Sequence, residues 1–298
     1  MTQASATVGE LRSAVVGRAR EVELIVAALD TGRHVLLEGP PGTGKSTVLR
    51  AVAGAYGLDL VFVEGNAELT PARLTGGFDP AQVISHGYDP AIFVDGPLVD
   101  ALRRGALLYV EEINRIPEET LNLLITVMSE GELHIPRLGR VSADPQFRLV
   151  AAMNPFDAVG TARISSAIYD RICRIAMGYQ PEDEELAIVE REAPGADSLL
   201  AARAIRAVRA SRVHPDVRIG ASVRGAIDLV LIGGRLAELR ARPATDDEVG
   251  LDAALTALGG RIRVHEGTDA DPEQIIRNLW AAACRDVDNP PEDGSGKA

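Results

Sequence analysis

The sequence predicts an α/β protein: an αβα sandwich on a parallel sheet, followed by an all-helical domain. Three observations predict it. Over roughly the first 180 residues, short apolar runs alternate with segments of helical periodicity, as in a parallel sheet covered on both faces. A glycine-rich turn, Gly39-Pro40-Pro41-Gly42-Thr43-Gly44-Lys45-Ser46, stands between an apolar strand and a helix. From Pro181 onward the strand-like runs give way to successive helical segments.

The elements follow in order. Val22, Ile25, Val26 and Leu29 fall at i, i+3, i+4 and i+7, an amphipathic helix closed by Gly32. Residues 34–38 form an apolar strand, and a helix starts at Lys45. Residues 60–64 are a second strand. The stretch 65–96 is rich in Gly, Pro and Asp, too long for a plain connection, and is expected to be a functional insert. Pro97 opens a helix carrying Leu98, Val99 and Leu102. A strand over 106–110 follows, then a helix after Pro117 with Leu121, Leu124, Ile125 and Met128 on one face. A hairpin is expected over 133–141, strands over 147–153 and 172–177, and a short helix over 165–170. Segments 183–192, 197–212, 222–240 and 246–258 read as helices. The expected domains are a core over 1–180 and a helical lid with C-terminal helices over 181–285. Residues 286–298, ending DNPPEDGSGKA, read as a disordered tail.

Composition limits the function classes. The 298 residues are 46% hydrophobic and 25% charged, enough for one large and one small core. A net charge of −12 works against attraction to phosphate backbones, so no nucleic-acid partner is expected. Arg203, Arg206 and Arg209 recur at helical spacing and read as a solvated helix face. No apolar run approaches the ~18 residues of a membrane helix, and no signal peptide is evident at the N-terminus. Cys173 and Cys284 form no paired motif, and the five histidines fall at no metal-ligand spacing. A cytoplasmic protein without membrane insertion is expected. Of the 31 basic residues only Lys45 and Lys297 are lysines. A chain that writes its cations as planar arginine forks has kept one compact ammonium in its folded body.

That lysine closes a G-x-x-x-x-G-K-[ST] motif, the P-loop. Its glycines let the backbone from Gly39 to Thr47 curl, past Pro40 and Pro41, so that the N–H groups of its other residues point into one concavity for phosphate, and the following helix adds its positive end. Lys45 is expected at the β- and γ-phosphates of ATP, and Ser46 on Mg²⁺. Leu107-Leu108-Tyr109-Val110-Glu111-Glu112 is an apolar strand ending in two acids. Glu111 is expected to hold the metal and Glu112 to orient and deprotonate the attacking water. Phe147 to Met153 is a strand ending in Asn154-Pro155, whose amide could hold water or the γ-phosphate; on spacing alone a turn-forming Asn is the simpler reading.

With these segments in order, the sequence resembles the AAA+ ATPases, specifically the MoxR group, kin to the magnesium-chelatase ATPase subunit. The resemblance covers roughly residues 8 to 235. Val16-Gly17-Arg18 is similar to the family's V-G-R, whose backbone lies near the adenine. Glu112-Ile113-Asn114-Arg115 matches its E-I-N-R, and Met153-Asn154-Pro155 its sensor-1 strand end. Asp170-Arg171 resembles the D-R that carries the arginine finger. Gly220-Ala221-Ser222-Val223-Arg224 resembles the lid's G-A-S-x-R, implying Arg224 as sensor 2. The insert lies where this group carries its extra hairpin. Arg163 and Arg174 compete with Arg171 for the finger role. One departure stands out: the family usually has Asp-Glu where this chain has Glu111-Glu112. Metal binding is expected to survive the extra methylene, since Mg²⁺ often keeps several waters that take up slack, with modest turnover.

The resemblance implies an oligomeric ring, expected to be a hexamer, that couples ATP hydrolysis to remodelling, maturation or metal insertion in a client protein. In the MoxR group the partner often has a von Willebrand A-type domain. Two other readings stand beside it: a nucleotide-gated scaffold with little hydrolysis, if Glu111 cripples turnover, and a small-molecule P-loop kinase.

Overall fold

A computed structural model describes residues 14–155 and 166–288, with Gly9 and Leu11 besides. Arg163 and the segment beyond 288 lie outside the described residues. The chain divides into two units, 1–178 and 179–298.

The first unit is built on five parallel strands. They are β1 (His34–Glu38), β2 (Leu60–Glu64), β5 (Leu107–Glu111), β8 (Arg148–Met153) and β9 (Ile172–Ala176), in the order β2-β5-β8-β1-β9. Helices α1 (Ala19–Asp30) and α2 (Lys45–Tyr56) pack one face, α5 (Pro97–Arg104) and α6 (Glu118–Glu130) the other. The period-two alternation of β5 explains the sorting. Leu107 and Tyr109 pack with Val48, Leu49 and Val52 of α2, whereas Leu108 and Val110 pack with Leu121 and Leu124 of α6. Continuing the alternation, Glu111 falls on the α2 side. The expected αβα core is therefore what the chain forms. Parallel strands bring all their C-terminal ends to one edge, where β1 runs into the glycine-rich turn and β5 into Glu112.

The stretch 65–96 is structured. It holds short helices α3 (Pro71–Thr75) and α4 (Pro80–His86), with Thr70 and Asp79 accepting the first backbone N–H groups as caps. Between and after them, β3 (Gly76–Phe78) pairs antiparallel with β4 (Phe93–Asp95). Gly76 sits at φ +91, and a Cβ there would lie 2.0 Å from the Val94 carbonyl oxygen, so only glycine closes this ribbon. A second hairpin pairs β6 (Glu132–Ile135) with β7 (Gly139–Ser142). The short α7 (Ser166–Tyr169) leads into β9.

The second unit contains α8 (Glu182–Glu192), α9 (Ser198–Ser211), α10 (Val223–Arg240), α11 (Asp247–Leu258) and α12 (Pro272–Asp288) around a core that includes Trp280. It is not purely helical. β10 (Val217–Ile219) and β11 (Arg263–Val264) form an antiparallel pair, and strands this short carry no periodicity for a sequence to display.

The solvated reading of the arginine stripe is also corrected. Arg203 is buried and donates to the Thr245 carbonyl. Arg206 and Arg209 turn toward Glu182, and Arg209 also meets Glu185 at 3.0 Å. Glu185 is fully buried and holds Arg212 at 2.7 Å as well. The acids that meet Arg206 and Arg209 come from the preceding helix, which spacing within one helix cannot reveal. Glu185→Ala would leave Arg209 and Arg212 without their shared acid. It is expected to cost about 3 kcal/mol, of the order found for one-sided removal of a buried pair, read as a fall in urea midpoint.

Candidate functional site

The turn after β1 has the backbone of an anion nest. Gly42 and Gly44 stand at φ +74 and +83, where a side chain would be strained. Gly44 caps α2, so the first N–H groups of that helix open onto the same concavity. Gly39 passes so close to the residue that follows β9 that a Cβ would lie 2.0 Å from the Met177 carbonyl oxygen. Thr43 is buried and ties its hydroxyl to the Pro40 carbonyl at 3.0 Å, bracing the loop from within. Pro41 and Thr47 are exposed. Lys45 Nζ donates to the Gly39 and Pro40 carbonyls, each at 2.8 Å, so the ammonium lies across the loop it closes. A phosphate oxygen carries full charge and competes with neutral carbonyls for such a donor.

Ser46 Oγ donates to Glu111 Oε1 at 3.1 Å and stands 3.1 Å from the Tyr109 hydroxyl. A hydroxyl beside a carboxylate offers hard oxygen donors suited to Mg²⁺, which commonly takes one or two protein oxygens and keeps water elsewhere. The residues present therefore fit a nucleotide with its metal: the nest and Lys45 for the phosphates, Ser46 and Glu111 for the ion. Glu111 spans the distance to Ser46 despite its extra methylene.

Glu112 sits in the left-handed region at φ +52, unusual for a non-glycine residue. Strained backbone of this kind persists where the surroundings impose it. Gly65 packs directly against this turn: its N–H donates to the Glu111 carbonyl at 2.7 Å, and a Cβ on it would fall 2.4 Å from the Glu112 carbonyl oxygen. The Glu112 side chain is 40% exposed and pairs with Arg115 at 3.0 Å. Asn154 follows β8 on the same edge, its carbonyl accepting from Asn114 Nδ2 at 3.4 Å. Thus Lys45, Ser46, Glu111, Glu112 and Asn154 share one edge of the sheet.

Other expected residues stand elsewhere. Val16 and Gly17 precede α1, with Gly17 at φ +68. Their neighbour Arg18 is buried and clasps the Thr43 carbonyl at 2.8 Å and the Gly178 carbonyl at 2.6 Å. Arg171 immediately precedes β9 and lies at the opposite edge of the sheet from the nest. Its neighbour Ile172 pairs with His34, the first residue of β1, five residues or about 17 Å along the strand from Gly39. There Arg171 is exposed, donates to the Ala167 carbonyl at 2.8 Å and lines a cavity of about 410 Å³ with Asp170 and His34. Burial, then the charges of Arg148 and Arg33, lower the His34 pKa to about 4, so its ring is neutral near pH 7. Arg174 is engaged within the chain, its fork meeting both carboxylate oxygens of Glu38. Arg224 is exposed on the first turn of α10, in the second unit.

Sequence reasoning missed Gly65, the clasp made by Arg18 and the contact made by Tyr109. Only Tyr109 left a signal: a lone phenol inside the apolar run 107–110.

Residues 34–172 match the AAA domain of the dynein-related subfamily. The uncharacterised protein YeaC of Bacillus subtilis is 29% identical, over 92% of either chain. The gas vesicle ATPase GvpN1 of Halobacterium salinarum is 30% identical, over 64% of this chain and 60% of that protein. The chain thus matches less than two thirds of the gas vesicle ATPase. Among solved structures, a candidate ATPase from Cytophaga hutchinsonii superposes with a TM-score of 0.54 at 22% identity, covering 94% of each chain. RuvB of Thermotoga maritima, a Holliday junction branch migration motor, gives 0.56 at 18% identity over 83% of this chain and 72% of that one. At those identities the likeness is one of fold.

Proposed function

We propose that this chain, an AAA+ ATPase consistent with the MoxR type, works as a head-to-tail ring in which each copy completes its neighbour's catalytic site. In this reading Lys45 and the nest hold the ATP phosphates, Ser46 and Glu111 hold Mg²⁺, and Glu112 orients and deprotonates water. Asn154 and Arg224 sense the γ-phosphate, and Val16 and Gly17 flank the adenine. The bound ion would offset charge on the phosphate oxygens; everything else falls to these side chains. The work is done on a partner protein in the cytoplasm, by remodelling or by supporting assembly or metal insertion. A client with a von Willebrand A-type domain would suit it. The relatives named as gas vesicle ATPases favour turnover over a scaffold that only binds nucleotide. The AAA domain match weighs against a small-molecule kinase.

The observation that carries the ring is the position of Arg171. Charge developing on the γ-phosphate calls for a cation beyond Lys45. About 17 Å separates Arg171's end of β1 from the nest, further than an arginine side chain extends, so Arg171 cannot serve its own subunit. A heterologous contact that closes into a ring would deliver it to the next one. Arg174, already paired with Glu38, is the weaker candidate.

Mixing two dead variants tests this. Lys45→Ala lacks a nucleotide site but keeps Arg171; Arg171→Ala keeps the nucleotide site but lacks the finger. Mixed equally with subunit exchange, random pairing repairs roughly a quarter of the interfaces. Phosphate release is expected to return in the mixture. No recovery, with exchange confirmed by a fluorescence-transfer pair, removes Arg171 from the neighbour's site. Recovery with Arg174→Ala substituted for Arg171→Ala, and not with Arg171→Ala, moves the finger to Arg174.

A further inference from the structure

We propose that Tyr109 is a positioning residue for the metal: its phenol hydroxyl fixes the Ser46 hydroxyl so that one lone pair is free to face the ion. The inference rests on the reading of Ser46 and Glu111 as the pair that holds Mg²⁺.

The argument is one of proton counting. A serine hydroxyl has one proton and two lone pairs, and an ionised carboxylate only accepts. The 3.1 Å contact between Ser46 Oγ and Glu111 Oε1 therefore takes the serine proton. Tyr109 Oη, also 3.1 Å from Ser46 Oγ, must then be the donor in its contact. One lone pair of Ser46 is filled by the phenol, the proton is committed to Glu111, and a single lone pair remains. With both other positions assigned, the serine rotor has one setting. A hydroxyl left to rotate would have to be ordered when the ion arrives, and that cost appears as weaker binding.

The surroundings suit the role. Tyr109 is fully buried on β5, with its ring tilted 5.6 Å from Phe62 on the neighbouring strand. Alternation along β5 puts Tyr109 and Glu111 on the same face, toward the start of α2 and Ser46. A tyrosine in the middle of an otherwise aliphatic core strand also needs a partner for its hydroxyl, and Ser46 supplies it. The longer acid at 111 belongs to the same cluster: Ser46 joins Tyr109 to Glu111 in one chain of donors.

The test uses the full chain and reads the MgCl₂ concentration that gives half-maximal binding of a fluorescent ATP analogue, together with binding in EDTA. Tyr109→Phe removes only one oxygen and should raise the Mg²⁺ requirement roughly three- to tenfold, the weight of one neutral hydrogen bond. Its metal-free binding should match the parent, and its melting temperature should fall by no more than the few degrees that one neutral hydrogen bond supports. Ser46→Ala should shift the Mg²⁺ requirement further. Glu111→Asp alone should change the Mg²⁺ requirement, because it moves the carboxylate that takes the Ser46 proton. Combined with Tyr109→Phe, its effect should differ from its effect alone, because both residues act through Ser46. A shift in Ser46→Ala with none in Tyr109→Phe overturns the role of Tyr109 and leaves the metal pair standing. No shift in Ser46→Ala overturns the metal pair and the proposal with it. Strictly additive effects of the Tyr109 and Glu111 substitutions overturn the shared action through Ser46.

Discussion

Lys45→Ala is expected to abolish measurable ATP binding while leaving the fold intact. Lys45 is the only lysine among the described residues, and it already lies across the loop, held by the Gly39 and Pro40 carbonyls at 2.8 Å. Those carbonyls hold the ammonium across the loop, next to the nest. A triphosphate brings several negative charges to the same place, and each charge-assisted contact is worth about 1.5–3 kcal/mol. Losing two such contacts lowers affinity roughly a hundredfold or more. The backbone of the nest does not depend on the ammonium. It is set by Gly42 and Gly44 and braced by Thr43 on Pro40 and by Arg18 on Thr43. The variant should therefore melt near the parent temperature in the absence of nucleotide. Calorimetric titration with ATP checks the binding; parent affinity in a folded variant removes the P-loop assignment. Lys45→Arg keeps the charge but offers a planar fork where a compact ammonium sits, and it should bind weakly as well.

How much of this was legible in the sequence follows from the range of each interaction. The sheet could be read because its three central strands are short apolar runs buried on both faces, as in residues 107–110, and because the glycine-rich turn names its own neighbours. Lys45, Ser46, Glu111 and Glu112 could be read for the same reason: their chemistry depends on neighbours within a few positions. The pair β10–β11 could not, since two or three residues carry no period and the partners lie far apart in sequence. The neutralised arginines of α9 were misread because their acids stand on α8, about 24 positions away. Gly65 was invisible because its reason is steric, the approach of its backbone to the Glu112 carbonyl. Tyr109 announced that it needed a partner, but naming Ser46 required knowing that β5 and α2 share a face. In each miss the deciding contact joins segments that only the fold brings together.

Glu112→Gln is expected to bind ATP as the parent does and to release phosphate at least ~100-fold more slowly, the usual weight of a positioned base. The amide keeps the length and shape of the acid and gives up its ability to take a proton from water. Its backbone need not change, because the Glu112 carboxylate makes no cap hydrogen bond to the turn of residues 113–115 that follows its φ of +52. The pair with Arg115 is lost, yet both side chains are 40% exposed, and pairs of that kind contribute under about 1 kcal/mol. Stability should barely move, and any loss of turnover then belongs to chemistry. Glu111 cannot stand in as the base. Its carboxylate accepts the Ser46 proton and belongs to the metal side of the site, so shifting it toward water would dismantle the metal position. Bound ATP that cannot be hydrolysed should also hold the subunits together, since each nucleotide would be sandwiched between one copy's nest and the next copy's Arg171. Single-turnover phosphate release and sedimentation with ATP read the two effects separately. Release at the parent rate ends the catalytic role of Glu112. Slow release with no gain in oligomer keeps that role and counts against nucleotide bridging the subunits.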